Sequence, residues 1–421
     1  MASPEAIADR AEKVIARCKR LASITETPGS TCRTFLSVAM RECYREVGEW
    51  LEAAGAQVRI DAAGNLRGFY PGAQTEAPRL VLGSHLDTVP DAGAYDGVLG
   101  VLLAISLLET LDDRKLPFAI EIIGFSEEEG IRFGTPFIGS RALAGKLDDE
   151  LLNRTDSSGV SVRTAIENFG LKPAEISQAA ANSDNLAYVE FHIEQGPFLE
   201  SLGIPLGIVE GIAGQTRCEF TFLGRANHAG TTPMHLRHDA MSAAAEWILE
   251  VERIAKREKG LVATVGRIAA KPNATNVVAG KVSVSLDVRH KSNEVRTRVA
   301  EFLAVQAEEI AHRRNLTTER KLLLNQPAVA MDPFLMEQIE QAARKTGCST
   351  HRMVSGAGHD AMILAEKMPT AMIFLRTPGG VSHHPSESVS VEDVAKAIEC
   401  GTFLLTQLAN SVEFQKRMAR A

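Results

Sequence analysis

Two strand-length runs without polar alternation flank a long, predominantly apolar segment: RLVLGSH (79–85), GVLGVLLAISLLETL (97–111) and FAIEIIGFS (118–126). A strand with one wet face alternates apolar and polar residues, so runs that do not alternate need cover on both faces. The middle segment is too long for a strand and apolar all round, which makes it a buried helix. Strand, buried helix and strand in succession define a mostly parallel sheet flanked by helices, an α/β architecture. Residues 5–20 and 36–54 read as amphipathic helices, and QVRIDAAGN and NLRGFY as two short strands before the first buried one.

The rhythm changes at residue 212. TRCEFTFLG, HDAMSAAAEWILEVERIAKR, LVATVGRIAA, KVSVSLDVRH, SNEVRTRVAEFLAVQAEEIAHRRN and LTTERKLLLN read as β-α-β-β-α-β. That order is the ferredoxin-like split βαβ unit. The strand–helix rhythm then resumes at MDPFLMEQIEQAARKTG. We therefore expect residues 1–211 and 328–421 to form a catalytic domain, with residues 212–327 inserted as a second one. At 421 residues, two domains are also the default by size.

In open parallel sheets, ligands gather at the carboxyl ends of the strands. His85 ends the first buried run, and Glu127, Glu128 and Glu129 follow the second. Three acids in a row are usually a solvated loop, but at the end of a buried strand they repel one another unless a cation lies there. Asp96 in AYDGVLG opens the buried helix, where an aspartate can serve as N-cap, and the same carboxylate can bridge metals. His192 in EFHIEQGP and His383 in GGVSHHPSE complete a set of imidazoles and carboxylates. Singly, each histidine is more often structural; together they are the ligand types of a divalent two-metal site, which activates water at neutral pH. Asp87, two residues beyond His85, suits a residue that orients a ligand. One of the glutamates is then free to act as general base, with its pKa raised by burial beside a like charge. In the inserted segment, His228 lies in GRANHAGTTPM, and Arg217, Asn276 and Arg289 lie on its strands and loops. Arginine suits a substrate carboxylate, although Arg289 in LDVRH has Asp287 as an alternative partner.

The remaining composition excludes several classes. A net charge of -7 gives no basic footprint for nucleic acid, and no apolar run reaches the ~20 residues of a membrane span. The six cysteines are scattered without a CxxC pair, and the N-terminus lacks the apolar core of a signal peptide, so a cytoplasmic enzyme with reduced thiols is expected.

In order along the chain, GSHLDTV, EEEGIRFGTPFIGSRALAG, HIEQGP, GQTR, ANHAGTTPM, SGAGHDA and GGVSHHPSE resemble the aminoacylase-type dinuclear metallohydrolases. More narrowly, they resemble the branch of allantoate amidohydrolases, N-carbamoyl-L-amino-acid hydrolases and β-ureidopropionases. The resemblance implies two divalent ions per chain (Zn, or Mn, Co or Ni). His85, Asp96 and His192 would hold one ion, and Asp96, Glu129 and His383 the other. It implies Glu128 as general base, Asp87 as its catalytic neighbour and His228 as oxyanion stabiliser, donated across a homodimer by the partner's inserted lid domain. Arg217, Asn276, Arg289, Gln195 and the backbone at Gly358 match substrate-binding positions. The family's usual proline in the Asn276 loop is absent here, where the chain runs NVVAG. The implied substrate is a small ureido carboxylate. The FLRTPGGVSHHPSESV segment favours allantoate, with N-carbamoyl-L-amino acids as the alternative, and GQTR and ANHAGTTP disfavour a peptidase. A catalytically silent metal- or metabolite-binding protein on this scaffold should lack Glu128 or a ligand, and this chain keeps them all.

Overall fold

The computed structural model describes residues 3–419. The chain divides into two compact units, a large one formed up to Glu210 and again from Ala330, and a small one spanning Gly211–Val329. Six strands come first: β1 (Gln57–Ile60), β2 (Leu66–Tyr70), β3 (Arg79–His85), β4 (Ala119–Phe125), β5 (Asn185–Ile193) and β6 (Leu206–Ile212). The next seven are β7 (Gly214–Leu223), β8 (Asn227–His228), β9 (Val262–Thr264), β10 (Ile268–Lys271), β11 (Val277–Val278), β12 (Lys281–His290) and β13 (Thr317–Gln326). The last three are β14 (Val329–Ala330), β15 (Thr350–Ser355) and β16 (Thr370–Leu375).

The sheet of the large unit runs β1-β2-β4-β3-β5-β16-β6-β14, with β15 pairing β6. Its centre, β4-β3-β5-β16, is parallel, as the non-alternating strands require. Antiparallel pairs flank it, β1 with β2, β2 with β4, and β6 with β16. β4 and β5 are buried along their whole length. The helix Val98–Glu109 is buried from Val98 to Leu108. Gly100 lets that helix approach β5, since a side-chain carbon there would run into the Phe191 carbonyl. The amphipathic helices begin where their caps stand: Ser3 and Ser37 accept from the amides of Ala6 and Met40.

In the small unit, β10-β12-β7-β13 form an antiparallel sheet, with β9 also on β12. Helices Ala240–Arg257 and Asn293–Arg313, capped by Asp239 and Ser292, supply the other layer. Trp247 is buried against Phe220, ring centres 4.6 Å apart, and its indole N–H donates to the Leu303 carbonyl at 2.8 Å. The strand order is that of the ferredoxin-like sandwich. All six cysteines are buried free thiols, and among the described residues no helix is long and apolar enough to cross a membrane.

Candidate metal centre

β3, β4 and β5 all end on the same rim, and two loops complete it. His85 closes β3, His192 lies near the end of β5, and Glu128 and Glu129 follow β4. Asp96 precedes the buried helix, and His383 stands in the loop after β16. Two groups of candidate ligand atoms share one carboxylate, His85, Asp96 and His192 in one and Asp96, Glu129 and His383 in the other, and a further group of His85, Glu128 and Glu129 overlaps both. Asp96 Oδ1 lies 3.2 Å from His192 Nε2 and 3.7 Å from His85 Nε2. Its Oδ2 lies 3.1 Å from His383 Nε2, which is 3.5 Å from Glu129 Oε1. The His383 side chain is 49% exposed, against 2% and 1% for His85 and His192, so the open side of the cluster is His383's.

This donor set fits divalent metal. The Nδ1–H groups of His85 and His192 donate to the backbone carbonyls of Asp87 and Ile193, both at 2.9 Å. Such bonds leave the Nε2 lone pairs facing inward. The two Nε2 atoms are 3.5 Å apart, and Asp96 Oδ1 beside them is buried with no hydrogen-bond donor. Acceptors converging on acceptors call for a cation between them. The electrostatics agree. Burial opposes charge on His85, yet Glu128, Asp96 and Asp87 push its pKa well above the ordinary value. Burial would raise Asp96, but His192, His383 and His85 hold it well below the usual carboxylate range. Burial, and then Asp96, lift Glu129 to about 7 despite His85 and His383.

One sequence expectation needs correction. Asp96 does not cap the buried helix: Gly97 stands at the N-cap with φ +66°, and no side chain caps the first turn. Asp87 reaches the His85 ring through its backbone carbonyl, while its carboxylate accepts from the amides of Glu128 and Glu129, both at 3.0 Å. It therefore positions the glutamate loop, because β3 ends before it and strand alternation no longer governs its direction. The three glutamates also part company. Glu127, at φ +54°, turns away to accept from the amides of Arg132 and Phe133. Glu128 stays with the cluster, its Oε2 3.9 Å from His85 Nε2. Burial, reinforced by Glu129, Asp360 and Asp87 against the pull of His85, raises Glu128 well above its ordinary pKa.

Gln195 touches the bridging carboxylate itself, its side-chain amide donating to Asp96 Oδ2 at 2.9 Å. Gly358 lies between β15 and the helix Asp360–Leu364, where an added side-chain carbon would press on the Phe137 ring. Beside it the sequence reading missed a buried group, Glu190, His192 and His359. Glu190 accepts from Ser84 Oγ at 2.9 Å and from the Ala361 amide at 3.0 Å, while the His359 ring packs edge-on against His192 with centres 4.4 Å apart. The available signals were an acid inside the apolar run YVEFH and the histidine of SGAGHDA.

The other four expected residues stand in the small unit. His228 is exposed on β8, which pairs with β11 so that Val277, next to Asn276, faces it. The Gly230 amide donates to His228 Nδ1 at 3.1 Å, leaving the ring proton on Nε2. Arg217 on β7 and Arg289 on β12 both bind Asp287: Arg217 Nε and Arg289 Nη2 each reach its Oδ2 at 2.9 Å. The salt bridge foreseen for Arg289 thus forms, and two guanidiniums share one carboxylate.

Fold and cluster together define a metal-dependent hydrolase, and comparison with known proteins agrees. Residues 81–407 match the model of peptidase family M20/M25/M40. An N-carbamoyl-L-amino acid amidohydrolase of Geobacillus stearothermophilus is 40% identical over 404 residues, covering 94% of this chain and 98% of that one. An allantoate deiminase of Arabidopsis thaliana is 37% identical over 420 residues, covering 92% and 80%. The crystal structure of an amidase of the hydantoinase/carbamoylase family from Burkholderia multivorans superposes with a TM-score of 0.90 at 30% identity, covering 96% and 98%. The chain belongs to peptidase family M20/M25/M40, and within it to the amidohydrolase branch of these relatives.

Proposed function

We propose that this enzyme hydrolyses the carbamoyl C–N bond of a small ureido carboxylate, allantoate in the first instance. The observation that carries this reading is the Asp96 carboxylate, with one oxygen facing His85 and His192 and the other facing His383. His85, His192 and Asp96 would hold one divalent ion, and Asp96, Glu129 and His383 a second. When bound, such a pair lowers the pKa of water and polarises a carbonyl. Glu128 takes the proton of the attacking water and returns it to the leaving nitrogen, a role suited to a buried carboxylate with a raised pKa. His228 offers an Nε2–H donor to the developing oxyanion. Arg217 and Arg289, brought together at Asp287, are guanidiniums of the kind that clamps a substrate carboxylate, and Asn276 and Gln195 would add polar contacts. Hydrolysis of allantoate would release ureidoglycine, ammonia and carbon dioxide. N-carbamoyl-L-amino acids are the second reading, favoured by the 40% identical relative.

The test is a substrate panel on enzyme stripped by chelation and reloaded with Zn²⁺ or Mn²⁺: allantoate, N-carbamoyl amino acids, ureidoglycolate and dipeptides, read as released ammonia or amine. Activity on the ureido carboxylates should vanish on stripping and return on reloading, with about two ions per chain. Full activity after exhaustive stripping refutes the metal reading, and turnover of dipeptides alone refutes the substrate class.

In this proposal the enzyme works as a homodimer, with His228 serving the partner's centre. Mixing His228→Ala with Glu128→Gln chains should then restore roughly a quarter of wild-type activity, since about half the dimers are mixed and each has one intact site. No gain over the separate variants, once subunit exchange is verified, would place His228 in its own chain's reaction.

A further inference from the structure

We infer that Glu387 is a positioning residue that ties together the two loops presenting Asp96 and His383, and so sets the affinity of the ion held by Asp96, Glu129 and His383. This inference rests on the two-ion reading above. His85 and His192 belong to strands of the central sheet and are placed by its ladder. Asp96 and His383 have no such support, being loop residues from opposite ends of the chain. The Glu387 carboxylate joins them. Its Oε1 accepts from the amides of Tyr95 and Asp96 at 2.8 and 3.0 Å. Its Oε2 accepts from Ser382 Oγ at 3.4 Å, and that hydroxyl also lies 3.3 Å from Asp96 Oδ2. One side chain thus holds the backbone on which Asp96 is mounted and touches the residue preceding His383.

Burial makes this tie strong. Glu387 is only 4% exposed, and the Tyr95 and Asp96 amides are satisfied by it where water does not reach. Removing the acceptor strands two buried N–H groups, which relax only if the loop moves and carries Asp96 with it. The fit is close on the other side as well: a side-chain carbon on Gly93 would lie within 2.4 Å of Glu387 Cβ and 2.7 Å from both its Cδ and Oε1, so the whole side chain would have to give way. Gly93→Ala should therefore push the carboxylate off the two amides while leaving its charge in place. Residues that orient ligands in this way typically alter metal affinity by about 10–100-fold.

The experiment compares wild type, Glu387→Ala, Glu387→Gln and Gly93→Ala. Each is stripped and titrated with Zn²⁺ alone against a competing chelator, and the melting temperature of the stripped protein reports folding. Glu387→Ala should bind the ion held by Asp96, Glu129 and His383 about 10–100-fold more weakly, with a smaller loss at the other ion, which shares Asp96 but keeps the sheet-anchored His85 and His192. Glu387→Gln should stay close to wild type, because its amide oxygen can accept both N–H groups. Gly93→Ala should behave like Glu387→Ala. Wild-type affinity for both ions in Glu387→Ala overturns the inference. So does an equal loss in Glu387→Gln, which would make charge rather than hydrogen bonding the active feature. Should Glu387→Ala fail to fold, wild-type binding in Gly93→Ala overturns it instead. A wild-type protein that takes up no Zn²⁺ would mark the failure of the two-ion reading, a separate result from two ions bound with no effect of these substitutions.

Discussion

Glu128→Gln is expected to lower kcat by about 10²–10⁴-fold while the protein keeps its metal, because only the proton shuttle is removed. The geometry distinguishes Glu128 from its neighbour. Glu129 Oε1 lies 3.5 Å from His383 Nε2 and belongs to a group built on Asp96, whereas Glu128 lies with His85 and Glu129 in a group without Asp96. Both amides are held by the Asp87 carboxylate, so changing either side chain to its amide leaves the loop anchored. Turnover and metal content measured on the same samples decide the matter. If Glu128→Gln loses an ion and Glu129→Gln does not, the two roles are exchanged.

A methyl group at position 97 should be nearly as damaging, although Gly97 has no functional group. The residue sits at φ +66° and ψ −53°, a sparsely populated backbone conformation that costs an L side chain about 1–3 kcal/mol. Its Cβ would also fall on Cδ2, Cε1 and Nε2 of the His85 ring, closer than any real contact. That ring is enclosed and must swing away from Asp96. Gly97→Ala should therefore weaken the ion held by His85, Asp96 and His192, spare the one held near His383, and reduce kcat/KM by about 10²-fold or more, as misplacing a reacting group does. Wild-type rate and two tightly held ions would show that the helix start shifts to admit the methyl group.

How much of this was legible in the sequence depended on whether a residue's environment is local. β3, β4 and the helix between them announce themselves because apolar residues without alternation admit one arrangement. The parallel order of the sheet centre follows, and with it the position of His85 and the glutamates at one rim. The antiparallel flanks were less visible, since short strands such as Gln57–Ile60 carry no direction in their composition. The candidate ligands stood out because imidazoles and acids beside buried strands are costly unless employed. Asp87 and Glu127 were harder, because the direction of a side chain past a strand end is set by loop dihedrals rather than by alternation. Glu387 was missed altogether. In the polar run HHPSES a glutamate looks solvated, and nothing local shows that the Asp91–Gly97 loop closes over it.

The place of β16 in the sheet bears on how the molecule is made. β5 and β6 are consecutive in the chain yet not neighbours in space, for β16 lies between them, parallel to one and antiparallel to the other. During synthesis β5 and β6 emerge first, then the entire small unit, and only then the strand that fills the slot. Throughout that interval β5, a strand buried along its whole length in the finished fold, presents an open row of hydrogen-bonding groups, the kind of edge that recruits stray strands. Phe374 of β16 is the residue that finally lies beside His192. The centre is therefore completed only after the whole small unit has been made, and the newborn protein is most exposed to mispairing just before it gains the means to act.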